Sequence, residues 1–127
     1  MNPASKDIKE LLIADSSFGD DIFIGKEPIT PHNCITIFDT PGEPPDQMFK
    51  QGEYYNRPSI QFRVRNTSYM DAWDSINAIK VFLHNHKQVT INGTLYSCIK
   101  CAQEPALLDW DKNDRCRFVT TFKIQRT

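Results

Sequence analysis

The sequence predicts an α+β domain, a mostly antiparallel, mixed β-sheet packed against two α-helices, with residues 1–127 forming a single domain. Three observations carry that reading. Between Pro58 and Arg65, Ile60, Phe62 and Val64 point one way while Gln61, Arg63 and Arg65 point the other. That period of two marks a strand with one buried face. The period then changes: Tyr69, Ala72, Ile76, Ile79 and Leu83 recur at spacings of three and four, the stripe of an amphipathic helix. The final run alternates again, with Cys116, Phe118, Thr120, Phe122 and Ile124 on one face and Arg117, Val119, Thr121, Lys123 and Gln125 on the other.

Taken in order, residues Pro3 to Ala14 read as a short helix with Ser5 as its cap, Asp7 and Glu10 in its first turns, and Ile8, Leu11 and Leu12 as a narrow apolar stripe. Asp21 to Gly25 and Cys34 to Phe38 read as strands joined by a proline-bearing connection. Asp39 to Pro58 shows no periodicity, and it holds four of the eight prolines and two of the five glycines. It reads as a long loop, the kind that compact domains keep for function. Met48, Phe49, Tyr54 and Tyr55 within it either fold back as a lid or anchor a neighbouring subunit, since aromatic residues and Met concentrate at interface centres. Ser68 caps the central helix, with Asp71 in its first turn and His84, His86 and Lys87 at its negative end. Asn92-Gly93 between Val89–Ile91 and Thr94–Ala102 is a two-residue hairpin signal, which also accounts for the Asn92-Gly93-Thr94 sequon. Leu107 to Trp110 opens a last hairpin that turns through Asp111 to Asp114.

Composition excludes several classes of function. With 15 basic and 16 acidic residues the net charge is −1, which gives no general attraction to nucleic acid. No apolar run approaches the roughly 20 residues of a membrane span. MNPASKDIKELL lacks an apolar signal core, so the expectation is a protein that stays where it is made. The sequence contains no nucleophile elbow, phosphate-binding glycine loop or H-E-x-x-H. Asp109, Asp111 and Asp114 have an acid-rich spacing but lack the glycine and terminal glutamate of a calcium loop. Cys98 and Cys101 form a C-x-x-C, yet in a strand-like stretch, where residues three apart face opposite sides of a sheet. Ordinary thiols are the expectation, and a zinc site recruiting His32 or His84 is the alternative. Arg63 and Arg65 read either as a solvated strand face or as a contact pair for acids on a neighbour. No catalytic residue, metal ligand or cofactor-binding residue emerges.

Several stretches in succession carry a resemblance. PASKDIKELL, DIFIGKEP, NCITIFDTPGEPPD, RPSIQFRVRN, DAWDSINAIKVFL, TINGTLYSCI and RFVTTFKIQR together resemble small tailed-phage proteins of the minor capsid or tail-terminator type. The likeness spans nearly the whole chain and lies in order and spacing, not in one motif. It implies an α+β subunit of a virion, assembled in the host cytoplasm into a hexameric neck ring. Such a ring caps the tail tube, stops its polymerisation and presents the surface that joins the head. The implied partners are other copies of the chain, the major tail tube protein and the head-completion or connector proteins. Viral DNA would pass through without sequence-specific binding, and no cofactor is implied. The candidate contacts are then Met48, Phe49, Tyr54, Tyr55, Arg63 and Arg65. A head-completion protein is the alternative of the same class, and a small metal- or thiol-dependent enzyme is the alternative of a different one.

Overall fold

The computed structural model describes all residues except 16, 17, 19, 20, 48–53, 85 and 87, and the backbone alone for 46, 47 and 54. Its elements run α1 (Ala4–Asp15), β1 (Asp21–Ile24), β2 (Cys34–Gln47), β3 (Tyr54–Asn66), α2 (Tyr69–His84), β4 (Val89–Ile91), β5 (Thr94–Cys101), β6 (Ala106–Trp110) and β7 (Cys116–Arg126). The strands form one sheet in the order β1-β2-β3-β7-β5-β4, with β6 also on β7. Among the described residues only β1 and β2 are parallel; every other pair is antiparallel. Along the edge of β7 that faces away from β3, β6 pairs with the first half and β5 with the second. The expected mixed α+β domain is what the chain forms.

Both helices lie on one face of the sheet. Ile35, Ile37, Ile60, Phe62, Val64, Phe118, Phe122 and Ile124 are buried beneath Ile8 and Leu12 of α1 and Ala72, Ile76, Ile79 and Leu83 of α2. Phe62 and Phe122 meet edge to face across neighbouring strands, with ring centroids 5.6 Å apart. Ser68 caps α2 as expected: its carbonyl accepts from Ala72 N–H at 3.1 Å and its Oγ from Asp71 N–H at 3.4 Å. Asn92 and Gly93 both take positive φ, 50° and 78°, the type I′ geometry that suits a two-residue hairpin.

Three expectations need correction. Asp39 to Pro58 is not a loop along its length, because β2 runs on to Gln47 and β3 begins at Tyr54, so the two strands build a long hairpin arm. The prolines that hid it, Pro41, Pro44 and Pro45, fall in the two register shifts between Thr40 and Glu43 and between Glu43 and Asp46, where no regular ladder bond is needed. Ser5 is not the cap of α1. It lies inside the helix, where Asp39 from β2 accepts its N–H at 3.1 Å and its hydroxyl at 2.6 Å. Tyr69 belongs by spacing to the buried stripe, yet its ring is exposed at the start of α2.

Candidate assembly surfaces

The arm is the first surface. Pairing between β3 and β7 ends at Asn56 with Arg126, whereas β2 and β3 continue to Asp46 with Tyr55 and Gln47 with Tyr54. The last rungs of the arm therefore project past the sheet. A Cβ on Gly42 would stand 2.1 Å from the carbonyl oxygen of Arg57, so only glycine lets the strands cross there. Glu43 steadies the base through Arg57 at 3.8 Å and Lys123 at 3.3 Å, both partly solvated. Met48 and Phe49 lie outside the described residues; Tyr54 is described by its backbone, on the arm, and Tyr55 is half-buried beside it.

The outer face of the sheet, away from the helices, is where Arg63 and Arg65 part company. Arg63 is half-buried, donates to Gln61 Oε1 at 3.1 Å and lays its guanidinium 4.8 Å from the centre of the Phe38 ring. Arg65 was expected on a solvated or partner-facing surface, but it is 2 % exposed. The connection between β1 and β2 folds over it: Arg65 donates to the carbonyls of Pro31 at 2.6 Å, His32 at 3.2 Å and Ile29 at 3.4 Å. Directly across the ladder stands Arg117. Two like charges facing each other on adjacent strands repel. Glu27 resolves this, placing one carboxylate oxygen 3.3 Å from Arg65 and 3.0 Å from Arg117. Arg117 also makes a bidentate pair with Asp109, at 2.7 and 3.0 Å. That partnership with Asp109, helped by the charge of Glu27, outweighs the opposing effect of burial and holds the guanidinium more firmly protonated than usual. Arg115 completes the cluster, donating to the carbonyl of Ile29 at 2.6 Å and to Asp111 at 2.7 Å. Arg65 and Arg115 thus pin the backbone of one connection and Arg117 holds it through the Glu27 side chain, while its Ile29 side chain is 79 % exposed.

A second polar cluster lies at the start of α1. Asp7 is fully buried and accepts from Tyr96 Oη at 2.5 Å, from Asn92 at 2.8 Å and from Asn2 at 3.2 Å. Burial alone would raise its pKa, but the hydrogen bonds from Tyr96, Asn92 and Asn2, with the charge of Arg126, outweigh that and hold it below the ordinary carboxylate value. Arg126 donates to Tyr96 Oη at 3.0 Å, to Asn56 at 2.9 Å and to the carbonyl of Asn2 at 2.9 Å. Burial, then the bond to Asp7, drive the Tyr96 phenol far above its normal range. The sequence marked Asp7 only as a first-turn acid, and its spacing on the buried side of α1 with Ile8 was the available signal.

The third surface went unnoticed in the sequence. Tyr69 stacks on Trp110 at 6.4 Å and meets Phe118 edge-on at 5.0 Å, while Trp73 approaches Phe118 at 5.9 Å. Tyr69, Met70, Trp73, Leu107, Leu108 and Trp110 are all exposed. Every residue of β6 is exposed, so the hairpin strand expected at Leu107 to Trp110 is present but has no buried face.

The cysteines and histidines do not converge. Cys98 and Cys101 pair in unbroken register with Gln125 and Phe122 of β7, which sets them on opposite faces of β5. The Cys101 backbone N–H donates to His84 Nδ1 at 3.1 Å, and His86 Nδ1 lies 2.6 Å from the carbonyl of Phe82. His84 is therefore held by β5 and is not merely a solvated cationic terminus. Among the described residues no group of three or more His, Cys, Asp or Glu is arranged to hold a metal, and no helix is long and apolar enough to cross a membrane.

Comparison with known proteins adds the identity of the family. A chain in a solved structure described as the virion of a native gene transfer agent particle matches with a TM-score of 0.71, covering 98 % of this chain and 94 % of that one. Their sequences are 11 % identical, so this likeness speaks for the fold. No curated protein matches. The family described as bacteriophage tail terminator protein matches residues 12–127. That span takes in everything from the end of α1 to β7, and the chain therefore belongs to the bacteriophage tail terminator family.

Proposed function

We propose that the protein forms a ring, hexameric as the family resemblance implies, that caps the tail tube, stops its growth and presents the surface to which the head is joined. The observation that supports this most directly is the arm. An isolated two-stranded hairpin is at best marginally stable in water, so rungs that project beyond the sheet gain by resting on a neighbour. Met48, Phe49, Tyr54 and Tyr55 are the side chains with which the arm would grip the next subunit or the tube, and Arg63 lies on the outer face as a secondary contact. Arg65 serves behind that surface by holding the connection over β3. A ring needs two unlike surfaces on each subunit, and the arm supplies one of them. The near-zero net charge suits a passage that DNA must leave freely, since many phosphate contacts would retain it. No catalytic step is assigned to the protein.

Electron microscopy of the purified protein, alone and mixed with tail tubes, tests the proposal. Rings seated on tube ends are expected. Replacing Met48–Tyr55 with a Gly/Ser linker should leave the circular dichroism spectrum unchanged, yet produce overlong tails without heads. Tails of normal length joined to heads by that variant would remove the arm from the mechanism. A wild-type protein that binds heads and ignores tubes would favour a head-completion role instead.

A further inference from the structure

Among the described residues the sheet has three edge strands, the three-residue β4 on β5 and the longer β1 and β6, and the last two are unlike each other. On one side β1 pairs only with β2 among the described residues, and on the other β6 pairs only with β7. Exposed edges are normally blunted by charge or proline, because their unpaired N–H and C=O groups invite another strand. Here β6 carries Leu107, Leu108 and Trp110 in the open, and its one charge, Asp109, is taken up by Arg117. At the far edge Ile24 is exposed in the same way. The bulge at Leu108 bends β6 and confines pairing to a short segment, and its 5 residues match the 4 of β1.

We propose that β6 of one subunit pairs antiparallel with β1 of the next copy, so that the sheet continues across each boundary of the ring. Topology and charge agree on the orientation. Within one sheet β1 runs with β2, and three antiparallel pairings then separate β2 from β6, so β1 and β6 run in opposite directions. A copy related by rotation about an axis along the strands brings its β1 antiparallel to the first copy's β6. That orientation sets Asp21 towards Lys112 and Lys26 towards Glu104, whereas a parallel one would set acid beside acid and lysine beside lysine. The stacked pair Tyr69 and Trp110, with Met70 beside it, borders the joint and supplies the large side chains that dominate interface energy. Because the contact joins two different edges, it propagates head to tail and closes as a ring, as no pairing of β6 with β6 can.

This inference rests on the ring reading, and the test separates the two. In a Cys98→Ser, Cys101→Ser background, Leu108→Cys protein and Ile24→Cys protein are mixed as monomers and assembled together, with each variant assembled alone as control, then treated with a short bis-maleimide. Cross-linked dimers in the mixture, at least tenfold above either variant alone, are expected. In parallel, Leu108→Lys and Ile24→Lys should each sediment as monomers with unchanged circular dichroism. Links only between like variants, or rings that persist with lysine at either edge, overturn the edge pairing while leaving a ring built by the arm. A wild-type protein that forms no ring under any condition overturns both.

Discussion

The two faces of β3 are buried by opposite means. On one, Ile60, Phe62 and Val64 lie under two helices in an unbroken hydrocarbon core. On the other, Arg65 is buried as thoroughly, but under a connection that it holds by its own hydrogen bonds, with Glu27 shared between it and Arg117. Hydrocarbon burial is non-directional and accepts rearrangement, whereas a buried guanidinium fixes where every partner must be, at the cost of taking charge out of water. The core face therefore supplies stability, and the arginine face supplies the shape of a surface, with Ile29 held outward at its apex.

Three variants break or sharpen this contrast, in falling order of effect. Ile79→Asp puts a carboxylate without a partner into the hydrocarbon face, where its cost of several kcal/mol is enough to unfold the domain, so the purified variant should lack a cooperative thermal transition. A soluble variant with a wild-type melting curve would mean that α2 does not cover the core. Arg65→Ala removes the donor to the carbonyls of Pro31 and His32 and half of the Glu27 pairing on the opposite face, while Ile29 keeps Arg115, for a loss of about 3 kcal/mol by chemical denaturation. The fold should survive, and amide exchange should rise first in residues 27–33. Equal protection of that connection in variant and wild type would show that the arginine does not order it.

The smallest effect is expected at the start of α1, where the polar cluster is itself part of the helix face. Asp7→Asn should cost about 1–2 kcal/mol at neutral pH. Its folded-state pKa is depressed, so the carboxylate contributes stability that is present above its unfolded value, about 3.9, and is lost as pH falls through the folded-state value. The gap between wild type and variant should thus close in acid. A gap that stays constant down to the acid transition would assign the loss to packing and not to charge.

Much of the fold could be read from periodicity, because β3, α2 and β7 each bury one face and keep the other polar. The arm could not, since Pro41, Gly42, Pro44 and Pro45 are poor strand formers by propensity and are tolerated only through register shifts and a close backbone crossing. Gly42 was the one clue, as an isolated glycine in an extended run marks close backbone approach. Arg65 misled for a different reason. Alternation reports which face a side chain takes, not what covers that face, and the cover here comes from residues more than 30 positions earlier in the chain. The sequence marks Leu107 to Trp110 as a hairpin strand but not the stack of Tyr69 on Trp110, because an exposed strand on a sheet edge has no buried side to impose a pattern.

The carboxylate of Asp39 at the first turn of α1 also sets a timetable. A 12-residue helix is marginal by itself, and the contacts that secure the start of α1 come from far along the chain. Its first anchor arrives 34 residues after Ser5, the phenol that binds Asp7 comes 89 residues after it, and Arg126 reaches Asn2 from 124 residues away. Contacts so distant in sequence form slowly. The helix is therefore secured in two stages: Ile8 and Leu12 gain their cover when β1, β2 and β3 form against them, whereas the polar cluster around Asp7 closes only when Tyr96 and Arg126 are in place, and until then the partly folded chain keeps a buried carboxylate short of its partners.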